Sequence, residues 1–177
     1  MFNGIIYNQG VVTKIIKRPK GLNVFIKSDF KLSSKDIGLS VACDGVCLTL
    51  ISYKSKVMEF YLSKETIKRS KFKFLKIKDV INLELPLKYG TKISGHICQG
   101  HVDTVGKVGD IKKIDKSYLF NFIITPKQKK QICPSVETSM RLCISKKKIA
   151  FICKKKEKNK VRKYRRFRIL KIFRTWR

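Results

Sequence analysis

At 177 residues, 43% of them hydrophobic, the chain has the length for one domain of ordinary size or two small ones and enough apolar content for a buried core. It contains neither an apolar run of membrane length nor a cleavable signal, so a soluble cytoplasmic protein is expected; its six cysteines are then reduced thiols and not a disulfide framework. The formal charge of +30 suggests a phosphate-rich partner and has to be located along the chain before it is interpreted.

Short strands with turn punctuation run through the first half. Gly10 to Ile16 is rich in β-branched residues and stops at Pro19-Lys20-Gly21, where turn chemistry takes over. Leu22 to Lys27 alternates apolar and polar residues, which predicts a return strand with one buried face. After Gly38, Leu39 to Cys43 meets Asp44-Gly45, the dipeptide that most readily adopts the positive φ angles of a tight hairpin. Val46 to Ile51 is the returning strand. Val57 to Leu62 gives another, Lys64 to Arg69 a short helix, and Ile77 to Leu85, closed by Pro86, a further strand. Several short strands at intervals of about ten residues predict an all-β domain, a small closed barrel, over residues 1–90.

Residues 97–134 begin the pattern again. Gly100 to Val108 and Tyr118 to Ile124 read as strands, and the opening Gly-x-Val resembles Gly4-Ile5-Ile6 about 96 residues earlier, a weak internal repeat. Beyond Pro134 the grammar changes. Glycine disappears, although a second barrel needs it at its hairpins, and residues 135–177 hold 17 Lys and Arg against Glu137 and Glu157. This segment reads as a degraded second barrel followed by a basic tail, with a helix from about Lys158 as its one candidate element. Tyr164, Phe167, Phe173 and Trp176 alternate with arginines there as in single-strand binders. Solvated basic tails are common, however, and no nucleic-acid fold surrounds these residues, so nucleic acid is not the expected partner.

Cys43 and Cys47 stand four apart with no second cysteine pair, and His96 and His101 are the only histidines. Structural zinc requires four ligands in tight local pairs, so buried thiols are expected and no metal.

Five ordered motifs carry a family resemblance. Met1-Phe2-Asn3-Gly4-Ile5-Ile6 is similar to the Met-Phe-Thr-Gly-Ile-Val start of riboflavin synthases. Ser40-Val41-Ala42-Cys43-Asp44-Gly45-Val46-Cys47-Leu48-Thr49 resembles their Ser-(Ile/Val)-Ala-x-(Asn/Asp)-Gly-(Val/Cys)-Cys-Leu-Thr segment. Lys64-Glu65-Thr66 is similar to their (Pro/Lys)-Glu-Thr, and Val80 to Glu84 to their Val-Asn-(Leu/Val)-Glu. Ser94 to Asp103 resembles their Gly-Gly-His-x-x-x-Gly-His-(Val/Ile)-Asp. Together the motifs span about 105 residues at family spacing.

The resemblance implies a six-stranded antiparallel Greek-key barrel that binds 6,7-dimethyl-8-ribityllumazine, a second homologous barrel, and a C-terminal helix holding a homotrimer. It also implies the reaction, in which two lumazines exchange a four-carbon unit to give riboflavin and 5-amino-6-(ribitylamino)uracil without a cofactor. By the same resemblance, ligand-binding positions are Gly4, Ile5, Ile6, Cys47, Leu48, Thr49, Tyr61, Leu62, Ser63, Lys64, Glu65, Thr66, Gly100, His101 and Val102. His101, Cys47 and Ser40 are the candidates for chemistry. These residue types suit a flat polar ring with a polyol tail, which calls for apolar walls and a few directed hydrogen bonds. The reaction starts with proton loss from a C7 methyl group, and an imidazole titrating near 6.5 suits that transfer. Each candidate has a structural rival: His101 as a satisfied loop histidine, Cys47 as a small hydrophobe, Thr66 as a helix-capping hydroxyl. His96 is expected to be structural.

The resemblance breaks after Pro134. Ser135-Val136 replaces the family's Lys-Gly, Leu142 to Ser145 only faintly echoes the second Ser-Leu-Thr strand, and the later elements are absent. The shift beside lysine runs suggests a reading-frame change in an A-rich coding stretch. Family sites lie between the first barrel of one subunit and the second of its neighbour, so stacking of two substrates and trimer formation are both put in question. Two readings follow: a riboflavin synthase impaired in this chain, and a lumazine- or flavin-binding module without turnover.

Overall fold

The computed structural model describes residues 1–6, 8–90, 99–114, 117–123, 125–126, 141–145, 148–152 and 168–171. Six strands form the first unit: β1 (Asn8–Arg18), β2 (Gly21–Ser28), β3 (Ser40–Cys43), β4 (Val46–Lys54), β5 (Val57–Ser63) and β6 (Val80–Glu84), with a single helical turn and a half, α1 (Lys64–Arg69), after β5. They close into an antiparallel barrel in the order β1-β2-β5-β4-β3-β6. The expected all-β class and six-stranded barrel are thus the observed ones.

Local chemistry sets the turns. Asp44 and Gly45 both take positive φ, 48° and 81°, and join β3 to β4 in the register Cys43↔Val46, as the hairpin dipeptide requires. The β4–β5 turn does the same with Ser55 and Lys56, φ 50° and 64°, and carries no glycine or asparagine to announce it. Period-two alternation then directs one face inward: Val46, Leu48 and Leu50 of β4 and Met58, Phe60 and Leu62 of β5 are all buried in one cluster, with Val24 and Ile26 of β2 and Ile81 and Leu83 of β6. The interior is therefore filled by side chains.

Below β6, a 3-10 turn at Lys71–Phe74 plugs the barrel with Phe72. Its Lys71 ammonium pairs with Asp44, whose carboxylate is fully buried and also accepts the Asn82 N–H at 3.0 Å. Burial pushes Asp44 up from the ordinary carboxylate range, against the opposing pull of Lys71 and the Asn82 amide.

A second sheet follows: β7 (Val102–Ile114), β8 (Ser117–Ile123), β9 (Arg141–Ser145), β10 (Lys148–Ile152) and β11 (Arg168–Lys171), in the order β11-β8-β7-β10-β9. Strand-forming capacity therefore persists past Pro134 where the composition suggested it would fail: β9 and β10 pair from Ser145↔Lys148 to Arg141↔Ile152, a hairpin without an Asp-Gly turn. Within the stretch expected to be helical from about Lys158, the described residues Arg168–Lys171 form a strand on β8, Arg168↔Asn121 to Lys171↔Tyr118. The rest of that stretch, with Tyr164, Phe167, Phe173 and Trp176, lies outside the described residues, as do His96 and the rest of residues 91–98. Among the described residues no helix is long and apolar enough to cross a membrane.

A cleft on the outer face of the barrel

Opposed residues of an antiparallel pair share a face. Ser40 lies opposite Thr49 and Ala42 opposite Cys47, while Val41, Leu48 and Val46 point into the core. Ser40, Ala42, Cys47 and Thr49 accordingly form one patch on the outer surface of β3 and β4.

The edge of that patch is the seam between β4 and β5. Their ladder runs from Lys54↔Val57 to Leu50↔Phe60, with a register shift between Leu50 and Ser52. Beyond it, β4 stays paired to β3 as far as Val46 and β5 stays paired to β2 as far as Ser63. Cys47 to Thr49 and Tyr61 to Ser63 thus run alongside each other past the last position at which their strands are laddered together.

Two other segments reach this seam. The Cys47 N–H donates to the Gly100 carbonyl at 2.9 Å, which brings the residues that open β7 beside β4. Gly100 has φ +79°, and a Cβ there would lie 2.8 Å from Cys47 Cβ and 3.2 Å from the Phe2 ring. Only glycine combines that backbone angle with that approach. Phe2, 1% exposed, packs on Ala42 and Cys47, so the strap at residues 1–6 meets the same point from the other side. Gly4 and Ile6 are exposed and Ile5 is half-buried, leaving their backbone along the rim.

The opposite wall is made by the end of β5 and α1. Ser63 is the N-cap of α1: its Oγ accepts the Thr66 N–H at 3.1 Å and shares a 3.0 Å hydrogen bond with the Thr66 hydroxyl. The capping role considered for Thr66 therefore belongs to Ser63, because Thr66 sits three residues into the turn as the donor. Glu65 pairs with Arg69 one turn on, Lys64 is exposed, and α1 packs against β7.

The structure sorts the expected ligand residues by what they offer. Cys47, Thr49, Ser63, Thr66, Gly100 and the exposed His101 present polar atoms near the seam. Leu48 and Leu62 are core residues, 4% and 0% exposed, so only their backbone faces the cleft region, and Val102 packs on the core edge. Tyr61 is partly exposed, but its ring lies over Gly21 of β2, where a Cβ would be 2.9 Å from the phenol carbon and oxygen; it flanks the cleft on the β2 side. Reading the sequence gave Phe2, Ala42 and Glu84 no role. All three stood within recognised motifs with no task attached, and their contacts exist only once β3, β4, β6 and the strap are folded together. Among the described residues no three His, Cys, Asp or Glu side chains gather to hold a metal ion.

Residues 3–86 match the lumazine binding domain, and the segments that converge on the cleft lie within that span or open β7. Over about two thirds of its length the chain is similar to riboflavin synthases. It is 35% identical over 120 residues to the riboflavin synthase of Buchnera aphidicola subsp. Schizaphis graminum, covering 67% of this chain and 58% of that protein. Against the riboflavin synthase of Photobacterium leiognathi it is 36% identical over 114 residues, 64% of this chain and 52% of the relative; against that of Escherichia coli, 32% over 112 residues, 63% and 53%. The chain thus aligns with little more than half the length of these riboflavin synthases. In fold it is similar to LumP in complex with 6,7-dimethyl-8-(1'-D-ribityl) lumazine, with a TM-score of 0.64 at 19% identity over 86% of each chain. The likeness to LumP in complex with riboflavin is close to this, TM-score 0.63 at 19% identity over 86% of this chain and 87% of the other.

Proposed function

We propose that the outer-face cleft of the first barrel binds 6,7-dimethyl-8-ribityllumazine and that the chain acts as a riboflavin synthase, turning two such molecules into riboflavin and 5-amino-6-(ribitylamino)uracil. The observation that carries this reading is the hydrogen bond from Cys47 to Gly100, which joins two of the motifs at a point where Phe2 of a third packs on Cys47. A flat ring lying there meets apolar surface from Ile5 and Ile6, hydroxyls from Thr49, Ser63 and Thr66, and the imidazole of His101. In this reading His101 moves the proton lost from the C7 methyl group of one lumazine, while Ser40 and Cys47 act as polar neighbours of the second. Holding the two rings face to face supplies much of the acceleration. A cytoplasmic homotrimer is part of the same reading, since the stacked pair needs a second surface over the open side of the cleft.

The replacement of Lys-Gly by Ser135-Val136 favours a second reading, a lumazine- or flavin-binding module without turnover. Fluorescence titration of the full chain with the lumazine, followed by assay for riboflavin, tests both. Binding with product supports the synthase and binding without product supports the module; a folded chain with no affinity for lumazine or riboflavin overturns both.

A further inference from the structure

The strap that backs the cleft is fastened by one side chain. Glu84, the last residue of β6, is 7% exposed, and its Oε1 accepts two backbone amides, Asn3 N–H at 2.6 Å and Gly4 N–H at 2.7 Å. On one side of these amides the Phe2 ring is wedged against Ala42 and Cys47, and the Met1 carbonyl accepts the Leu87 N–H at 2.9 Å. On the other side is Gly4, at φ +74°, where the strap turns toward the rim. Ile81 and Leu83 of β6 face the core, so alternation puts Glu84 on the outer face with its ladder partner Ala42, where the strap covers it.

From this geometry we infer that Glu84 is a positioning residue for the ligand cleft. Its carboxylate fixes the height of the strap, and through the strap it fixes the Gly4 to Ile6 backbone and the Phe2 ring on which Cys47 and Gly100 rest. An ionised oxygen accepting two amides forms the strong class of hydrogen bond. Without that acceptor, the Asn3 N–H is left unpaired in a buried position and the Gly4 N–H loses its partner at the edge of the site, and the strap regains the solvation of the buried amide only by lifting away. Glu84 touches no ligand; it acts on the rim. The inference rests on the reading of the cleft as a lumazine site.

The test uses the full-length chain with Glu84→Gln, which keeps an oxygen acceptor, and Glu84→Leu, which does not. Hydrogen exchange at the Gly4 amide is read without ligand: it is expected to be protected in the wild type, largely protected in E84Q and fast in E84L. Lumazine affinity is expected to fall about tenfold or more in E84L and to stay within about threefold in E84Q, with thermal unfolding showing that each variant is folded. In a chain shortened by its first four residues, E84L is expected to weaken binding no further, because both amides that Glu84 holds are gone. Fast exchange at Gly4 in the wild type, or an equal loss of affinity from E84L with and without the strap, overturns the inference. A protected Gly4 amide in a wild-type chain with no lumazine affinity overturns the ligand reading instead, and reduces Glu84 to an anchor of the N-terminus.

Discussion

Gly100→Ala perturbs the cleft at the point where three segments touch. The added methyl would sit 2.8 Å from Cys47 Cβ, 3.0 Å from the Cys47 nitrogen and 3.2 Å from the Phe2 ring, and ordinary carbon contacts need roughly 3.5 to 4.0 Å. Phe2 and Cys47 are held by the barrel, so the segment at Gly100 is what moves, by up to about 1 Å. An L-residue at φ +79° costs roughly 1 to 2 kcal/mol, and overpacking against a fixed wall costs about 1 to 3 kcal/mol more. Relief comes from retreat, which stretches the 2.9 Å bond from Cys47 to the Gly100 carbonyl and carries His101 outward. At about 1.4 kcal/mol per tenfold, the low end of that sum is about thirtyfold in lumazine affinity. Fluorescence titration measures it, and thermal unfolding of the same variant is expected to show the barrel little changed, because Gly100 lies after its last strand. An affinity within threefold of wild type, together with an intact Cys47 to Gly100 bond in the variant's structure, would refute the argument that this contact shapes the site.

Three further outcomes follow from the same structure. Lys71→Met removes the cation facing Asp44 and is expected to cost about 3 to 5 kcal/mol at neutral pH, since a buried carboxylate is left unpaired. Losing Lys71 raises the Asp44 pKa further; a raised acid contributes stability that is complete below its unfolded value and is lost as pH rises through the folded one. The deficit should therefore shrink on acidification, and a deficit that stays constant with pH in denaturant titrations contradicts the assignment. Phe60→Ala empties a fully buried position of the main cluster and should destabilise the protein by about 3 to 5 kcal/mol; a shift below 1 kcal/mol in chemical unfolding would show that the barrel interior is not packed as described. His101→Gln keeps a polar side chain at an exposed position and should leave lumazine affinity within about threefold while lowering any riboflavin formation by about a hundredfold or more. Equal losses in binding and product would instead make His101 a binding residue.

How far the site can be read in advance differs from residue to residue. Cys47, Thr49, Gly100 and His101 were marked by motif, and the structure brings their segments to one seam. Which of them pair with which was not marked. Nothing local to Ser63 distinguishes a helix cap from a strand end, and Thr66 three residues on was the more conspicuous hydroxyl; the choice is made by where β5 stops pairing with β2. Leu48 and Leu62 were included through the resemblance, and alternation turns the side chains of both inward. After Pro134, the loss of glycine and the rise in charge suggested that strands would fail, whereas β9 and β10 form a hairpin, since a ladder of backbone hydrogen bonds asks less of composition than a tight turn does.

The amino-acid order alone sets the strands of the first barrel, because period-two alternation admits one inward face, and it sets the β3–β4 hairpin, because Asp44-Gly45 accepts the left-handed turn. It also carries the resemblance to riboflavin synthases, through motifs whose spacing is a property of the chain. It does not say that Phe2 packs on Ala42 and Cys47, that Tyr61 leans over Gly21, or that Glu84 holds the amides of Asn3 and Gly4 some eighty residues away. Those are consequences of closing the sheet: once six strands share one packed interior, each loop and terminus docks where its unpaired hydrogen-bonding groups find partners, and such pairings between distant residues leave no periodic mark in the sequence.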